Sequence, residues 1–515
     1  MKRRKFLRNF ASGTTIPFLL DGIPLTRIAQ NNIFNSGGDD SDKVLVLVQM
    51  AGGNDGLNTL VPMDMYSNLV LHRSNIIIPE NKLLSITDKN SLHPSMAGIK
   101  DLYDSDQISF VQNVAYPNQN RSHFRSTDIW QSASDANEFL TTGWVGRYFD
   151  KFYDDFPAAY PNDECTDPFA IAVGGFNHET CQGLAANYSM VVGGIENFII
   201  LNEGNPEVVP DTCHGEELDF IKTSNVQSNA YFDTLKKAGE LGNNLSSKYP
   251  SGNNLASKLR TVARLISGGL KTKVFVVSYA GFDTHAGQVN DGNTHEGTHA
   301  NLLNTLSGAI SAFQDDLNLL GISKKVLGMT YSEFGRQIKS DGGFGTDHGT
   351  AGPMMLFGEC VNNGIIGDNP EIGTEVEDQA GVPMLYDFRS VYASVLKQWF
   401  EIEDEDVFEI LGAEFPSIPL IKNCDIVSTN DSYSNSEFDV FPNPVQSNLF
   451  LKIPIDLQDS NISIYNSLGH LVKSLKGANK IGENFNVDVS GLPQGHYVLH
   501  LVKDNTNLTK QFIKI

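Results

Sequence analysis

Along most of the chain, apolar residues fall into short continuous runs separated by longer stretches of mixed polarity. Lys43 to Met50, Ile108 to Val114, Phe169 to Val173, Lys273 to Tyr279, Lys325 to Tyr331 and Pro353 to Phe357 are rich in Val, Leu, Ile and Phe. They are strand-length and largely unbroken by polar alternation, so each predicts a strand buried on both faces. Leu302 to Leu320 follows a longer period, with Leu303, Leu306, Ile310, Phe313 and Leu317 on one face of a helix. Strands alternating with helices predict an α/β domain over residues 43–425, its mainly parallel sheet covered by helices on both sides.

The pattern changes at both ends. Ser428 to Glu437 is polar and without period, which predicts a linker over residues 426–437. Beyond it come short alternating segments: Asn448 to Ile453, Asn461 to Asn466, His470 to Leu475, Phe485 to Val489, Tyr497 to Lys503 and Lys510 to Ile515. Turn residues such as Gly469, Gly491 and Gly495 separate them, the pattern of a small antiparallel β-sandwich over 438–515. At the start, Lys2-Arg3-Arg4-Lys5-Phe6-Leu7-Arg8 precedes the apolar Ala11 to Leu25, which resembles a twin-arginine export signal over residues 1–30. Asp21 interrupts that stretch, and a spanning helix needs about 20 apolar residues, so neither it nor any later segment predicts a membrane span.

Composition narrows the function. The 515 residues are 40% hydrophobic and 19% charged, a folded composition long enough for one large domain plus accessories. The net charge of −23 disfavours nucleic acid and anionic lipid surfaces as partners. An anionic substrate would need a local inversion of that field, which a bound divalent cation supplies. Of the five cysteines, Cys165, Cys181 and Cys213 share a loop-rich stretch, where a single disulfide is expected with its pair left open; Cys360 and Cys424 lie far downstream.

Candidate chemistry gathers just after the predicted strands, where open α/β sheets bind ligands. Ala51-Gly52-Gly53-Asn54-Asp55-Gly56 follows the first. Arg121-Ser122-His123-Phe124 follows the second after a loop, Gly281-Phe282-Asp283-Thr284-His285 a later one, and Ser332-Glu333-Phe334-Gly335-Arg336 the next, ahead of Thr346-Asp347-His348-Gly349. Singly these have plain explanations: Asp55 a turn residue, Ser122 a helix N-cap, Glu333 and Arg336 a local ion pair. Together, their carboxylates and imidazoles suit zinc or manganese, one ion or two. His295 and His299, close downstream of His285, are further candidate ligands.

Two resemblances follow from these residues. Phe441-Pro442-Asn443-Pro444, Ile-Tyr-Asn-Ser-Leu-Gly-His-Leu-Val from Ile464, Leu-Pro-Gln-Gly-His-Tyr-Val-Leu from Leu492 and the terminal Lys-Gln-Phe-Ile-Lys-Ile resemble the type A C-terminal sorting domain of type IX secretion substrates. It implies the type IX machinery as a partner and release or attachment at the cell surface, and the twin-arginine-like start adds the twin-arginine machinery and export through the periplasm. The strand-end motifs, with Leu92-His93-Pro94 and Gly143-Trp144-Val145-Gly146-Arg147-Tyr148, resemble the exported bacterial DUF1501 family over roughly Val44 to Leu411. That family is similar to the alkaline phosphatase and sulfatase superfamily, which implies an alkaline phosphatase-like three-layer α/β sandwich.

The superfamily likeness implies a secreted metal-dependent hydrolase of phosphate or sulfate esters acting on a small anionic ester. Asp55, Asp347 and His348 match ligands of one metal and Asp283 a ligand of the other, with His285 beside it. Ser122 matches a nucleophile at a helix start, and Arg121 and Arg336 would neutralise the ester oxygens. Position 287 is Gly where the superfamily places a histidine, and no histidine follows His348 before His470. The first metal site is therefore either rebuilt from His285, His295 or His299 or absent, and the nucleophile is open to Ser126 or Thr127. A non-catalytic surface binding protein of the same fold is the alternative.

Overall fold

The computed structural model describes residues 42–175, 177–193, 231–422 and 424 of the large domain, with 19–20 and 23–24. Beyond it, residues 439–452, 461–466, 471–476, 479–481, 484–503 and 506–515 are described. The twin-arginine motif, the linker and Cys213 lie outside the described residues. Two compact units divide between Ile426 and Val427.

The first unit is built on a nine-stranded sheet. Its strands are β1 Val44–Ala51, β2 Ile108–Ala115, β3 Ala170–Val173, β4 Ser189–Val192, β5 Val274–Ala280, β6 Val326–Tyr331, β7 Gly352–Phe357, β8 Gly364–Ile366 and β9 Tyr386–Asp387. Their order across the sheet is β8-β2-β7-β6-β1-β5-β3-β4, with β9 also beside β2. All pairings are parallel except those of β7, which runs antiparallel to β6 and to β2. All six predicted strands of this unit are present. The short β4, β8 and β9 were not anticipated.

Helices cover both faces. They are α1 Tyr66–Arg73, α2 Ala97–Asp104, α3 His123–Ser132, α4 Trp144–Phe152, α5 Asn254–Ser267, α6 Thr298–Leu319, α7 Phe388–Ser394 and α8 Asp404–Leu411. The period-two alternation of β1 explains why it is apolar throughout. Leu45 and Leu47 join one core with Trp130, Trp144 and Tyr392 of α3, α4 and α7. Val44, Val46, Val48 and Met50 join the other with Leu259 of α5 and Leu303, Leu306, Ile310 and Phe313 of α6. The predicted stripe of α6 is fully buried, and burial on this scale, about 25 cal/mol per Å² of apolar surface, is what the unit's stability rests on.

The disulfide expected near Cys165 forms elsewhere. Cys360 and Cys424 are bonded, whereas Cys165 and Cys181 are free thiols. Cys181 lies in the core, where burial pushes its thiol pKa up and keeps it unreactive. No helix among the described residues is long and apolar enough to cross a membrane.

The second unit contains two four-stranded antiparallel sheets. One is formed by Asp439–Phe441, Asn448–Lys452, Asn484–Asp488 and Asn479–Ile481, the other by Leu471–Lys476, Asn461–Asn466, Gly495–Lys503 and Thr506–Lys514. A single cluster including Leu449, Leu451, Ile462, Ile464, Val487, Leu499 and Phe512 fills the core between their alternating inner faces.

Candidate metal centre at the strand ends

Five chain segments meet beyond the carboxyl ends of β1, β5 and β6, and backbone at close quarters is what lets them. Gly52, just past β1, has φ +123°, and a Cβ there would stand 2.4 Å from the amide nitrogen of Asp283. Gly345 lies so close to His285 that a Cβ would stand 2.1 Å from that residue's carbonyl oxygen. Arg336 then pins the segments together. It is buried, and it donates through Nε to Gly53 O (2.6 Å), through Nη1 to Thr346 O (2.8 Å) and through Nη2 to Phe282 O (2.8 Å), Gly52 O and Asp283 Oδ1 (2.8 Å). Its guanidinium is committed to carbonyls and one carboxylate. The expectation that Arg336 neutralises substrate oxygens therefore gives way to a role in holding Asp283 in place.

Asp283 is the centre of the cluster. Burial alone would raise its pKa, but the hydrogen bond and the charge of Arg336 outweigh it and hold it at about 2. Around this carboxylate stand three imidazoles. His348 Nε2 and His285 Nε2 each lie 3.1 Å from Oδ1, His123 Nε2 lies 3.3 Å from Oδ2, and the Nε2 atoms of His285 and His348 are 2.9 Å apart. Donor atoms of His123, Asp283 and His348 all fall within 4.8 Å of one another.

The far nitrogen of each ring faces an oxygen. His348 Nδ1 is 2.8 Å from the Arg121 carbonyl, His285 Nδ1 2.8 Å from Asp347 Oδ1, and His123 Nδ1 2.8 Å from Glu333 Oε1. A carbonyl only accepts, so His348 Nδ1 carries a proton; burial also pushes the pKa of His348 down, so that its Nε2 bears a lone pair at neutral pH. Lone pairs and carboxylate oxygens this close together need a positive charge between them, a proton or a metal ion.

The residues fit a metal. Two ligands at about 2.1 Å from one ion stand roughly 3.0 to 3.4 Å apart; the three contacts of Asp283 with the rings, 3.1 to 3.3 Å, fall in that range, and the 2.9 Å between His285 and His348 lies just below it. His123 Nε2 is moreover a buried atom with no hydrogen-bond partner. Nδ1 groups tied to oxygen acceptors are the usual outer support of ligating histidines.

The other expected residues are distributed unevenly. Asp347 reaches the cluster only through His285. Asp55 is directed away: its carboxylate accepts from Arg73 Nη1 at 3.0 and 2.9 Å and from Gln288 Nε2 at 2.6 Å, with both Asp55 and Arg73 buried. Burial would raise its pKa, but Arg73, His299 and the Gln288 bond outweigh it and lower it. Both oxygens being taken, Asp55 is one half of a buried ion pair, against the expectation that it binds metal. His299 is buried beside it, with Nε2 on Asn54 Oδ1 at 3.0 Å.

Ser122 is the exposed N-cap residue of α3 and makes no capping bond, while its neighbours on both sides touch the cluster. The side chain of Arg121 donates to the Gln379 carbonyl at 2.8 Å. Ser126 is fully buried, 2.9 Å from the Tyr116 hydroxyl and bonded to the Glu333 carbonyl, which removes it as a nucleophile. The sequence did not single out His123, although it stands inside the Arg121-Ser122-His123-Phe124 motif, nor did it show that Glu333 pairs with His123 rather than Arg336.

No curated protein matches the chain. Similar solved structures include a protein in the alkaline phosphatase superfamily from Vibrio parahaemolyticus (TM-score 0.31, 10% identity, 91% of this chain and 82% of that one). A protein from work on Bacteroides thetaiotaomicron metabolism of multiple glycosaminoglycans gives TM-score 0.34 at 9% identity over 91% of this chain and 88% of that one. The alkaline phosphatase of the Antarctic bacterium TAB5 gives 0.25 at 10% identity over 72% and 98%. Residues 238–411 match the family described as protein of unknown function (DUF1501), and residues 439–515 match a secretion system C-terminal sorting domain, which points to secretion or the cell surface.

Proposed function

We propose that the large domain binds a transition-metal ion, zinc or manganese, through Nε2 of His123, His285 and His348 and the carboxylate of Asp283, and hydrolyses phosphate or sulfate esters there. One observation carries this reading: three rings with their Nδ1 atoms against oxygens turn their Nε2 atoms onto one carboxylate. Imidazole nitrogen in the set selects zinc or manganese over calcium. When bound, such an ion polarises an ester oxygen and lowers the pKa of a hydroxyl within reach.

The chain's own residues supply the remainder. Ser122 is the candidate nucleophile, its hydroxyl free of any capping bond at the start of α3, where the amides and dipole of the helix favour an anion. Arg121, beside it, offers a cationic side chain to the ester oxygens. Arg336 keeps Asp283 ionised and fixed.

The test is turnover of aryl phosphate and aryl sulfate esters by Zn²⁺- or Mn²⁺-loaded protein, wild type against Ser122→Ala. Because Ser122 caps nothing, its loss should change stability by no more than about 0.5 kcal/mol. Turnover should fall by a factor on the order of 10³ to 10⁶. Activity surviving in Ser122→Ala removes the serine from the reaction. The sequestration of Asp55 by Arg73 and Gln288 favours a second reading, a surface protein that keeps one ion without turnover. Metal-loaded wild type inactive on every ester selects it.

A further inference from the structure

We propose that Glu333 is a positioning residue: its carboxylate decides which nitrogen of His123 carries the proton and so turns the Nε2 lone pair toward the ion. The role rests on the metal reading above. Glu333 is only 3% exposed, at the end of β6. Its Oε1 stands 2.8 Å from the Gly52 amide and 2.8 Å from His123 Nδ1. A backbone N–H can only donate, so Oε1 is an acceptor, and the Nδ1 that shares this oxygen has to donate as well. In the neutral ring the lone pair then lies on Nε2.

The opposite tautomer gains only the 3.3 Å approach of Nε2 to Asp283 Oδ2. It would set a lone pair against the Glu333 oxygen and leave a proton on Nε2, a buried atom whose approach to Asp283 Oδ2 at 3.3 Å makes no hydrogen bond. A buried donor left without an acceptor costs about 1–3 kcal/mol. The ring has little freedom to escape by turning over, since it packs against Phe334 at 5.0 Å and His348 at 4.3 Å between centroids. The carboxylate is held by the Gly52 amide at 2.8 Å. Glu333 thus ties the ends of β1 and β6 to the start of α3 and aims the histidine from there.

Two measurements test this in the full-length protein. Nitrogen NMR of metal-free wild type should show His123 protonated on Nδ1 and bare on Nε2. Zn²⁺ titration should show Glu333→Ala binding about 10- to 100-fold more weakly than wild type, the usual cost of losing an outer-shell partner. Glu333→Gln keeps an oxygen for both donors and should recover most of that loss, while the Nδ1-protonated tautomer of His123 is the readout that a role confined to bracing the loop does not predict. An Nε2-protonated His123 in wild type overturns the proposal even if the variants fail to fold. So does folded Glu333→Ala with wild-type affinity. Wild type that takes up no Zn²⁺ while His123 is protonated on Nδ1 overturns the metal reading itself, and this role with it.

Discussion

Asp55 and Asp283 are carboxylates just past neighbouring central strands, and their surroundings send them to different tasks. Arg73 and Gln288 close over Asp55, so it is a structural anion, whereas Asp283 shares Arg336 with three imidazoles and stays half open to solvent. Removing one partner of a buried ion pair costs about 3–5 kcal/mol, because the other charge is left uncompensated. Asp55→Asn should therefore lower the unfolding free energy by about that much in urea while leaving Zn²⁺ uptake unchanged. Lost metal at unchanged stability would return Asp55 to the ligand set. The sequence displayed both aspartates beside glycine at strand ends but not the difference between them. Arg73 lies 18 residues after Asp55, on a helix whose approach depends on the tertiary fold. His123 was visible within its motif, yet nothing in its spacing tells a ligand from a solvated ring at a helix start.

At the scale of elements, registers bring polar side chains together as they do apolar ones. Tyr331 of β6 and Ser278 of β5 both pair with Gln49 of β1, forming a polar row across three strands. His178 seals it, with Nε2 3.2 Å from the Tyr331 hydroxyl and 3.4 Å from Gln49 Oε1. Burial holds the pKa of His178 at about 4, below its ordinary 6.5. Between those values the unfolded chain binds the extra proton and the folded one does not, so stability is lost as pH falls from about 6.5 to about 4. The full effect is on the order of 3 kcal/mol. His178→Gln should show a smaller drop in urea midpoint between pH 7 and pH 4.5 than wild type; equal drops would mean that His178 takes up its proton without cost. The central strands were legible because both faces are buried and the run is apolar throughout. Short edge strands such as Gly364–Ile366 carry too few residues for a pattern. The reversed direction of β7 had only a negative signal, the lack of a helical period between Tyr331 and Gly352, since parallel neighbours usually need a helical crossover.

For the whole molecule, one feature agrees with the exported location indicated by the sorting domain. The Cys360–Cys424 bond joins positions 64 residues apart, worth about 4 kcal/mol by chain entropy and stable only where thiols are oxidised. A net charge of −23 would repel anionic esters, and a bound cation amid Asp283, His123, His285 and His348 would reverse that field locally. The central claim is that these residues form a metal site. Its most direct test is elemental analysis of full-length protein after Zn²⁺ loading and desalting, wild type against His123→Ala and His348→Ala. About one ion per chain is expected in wild type and little in either variant; no metal in wild type, or equal metal in all three, would show that these residues do not form a metal site.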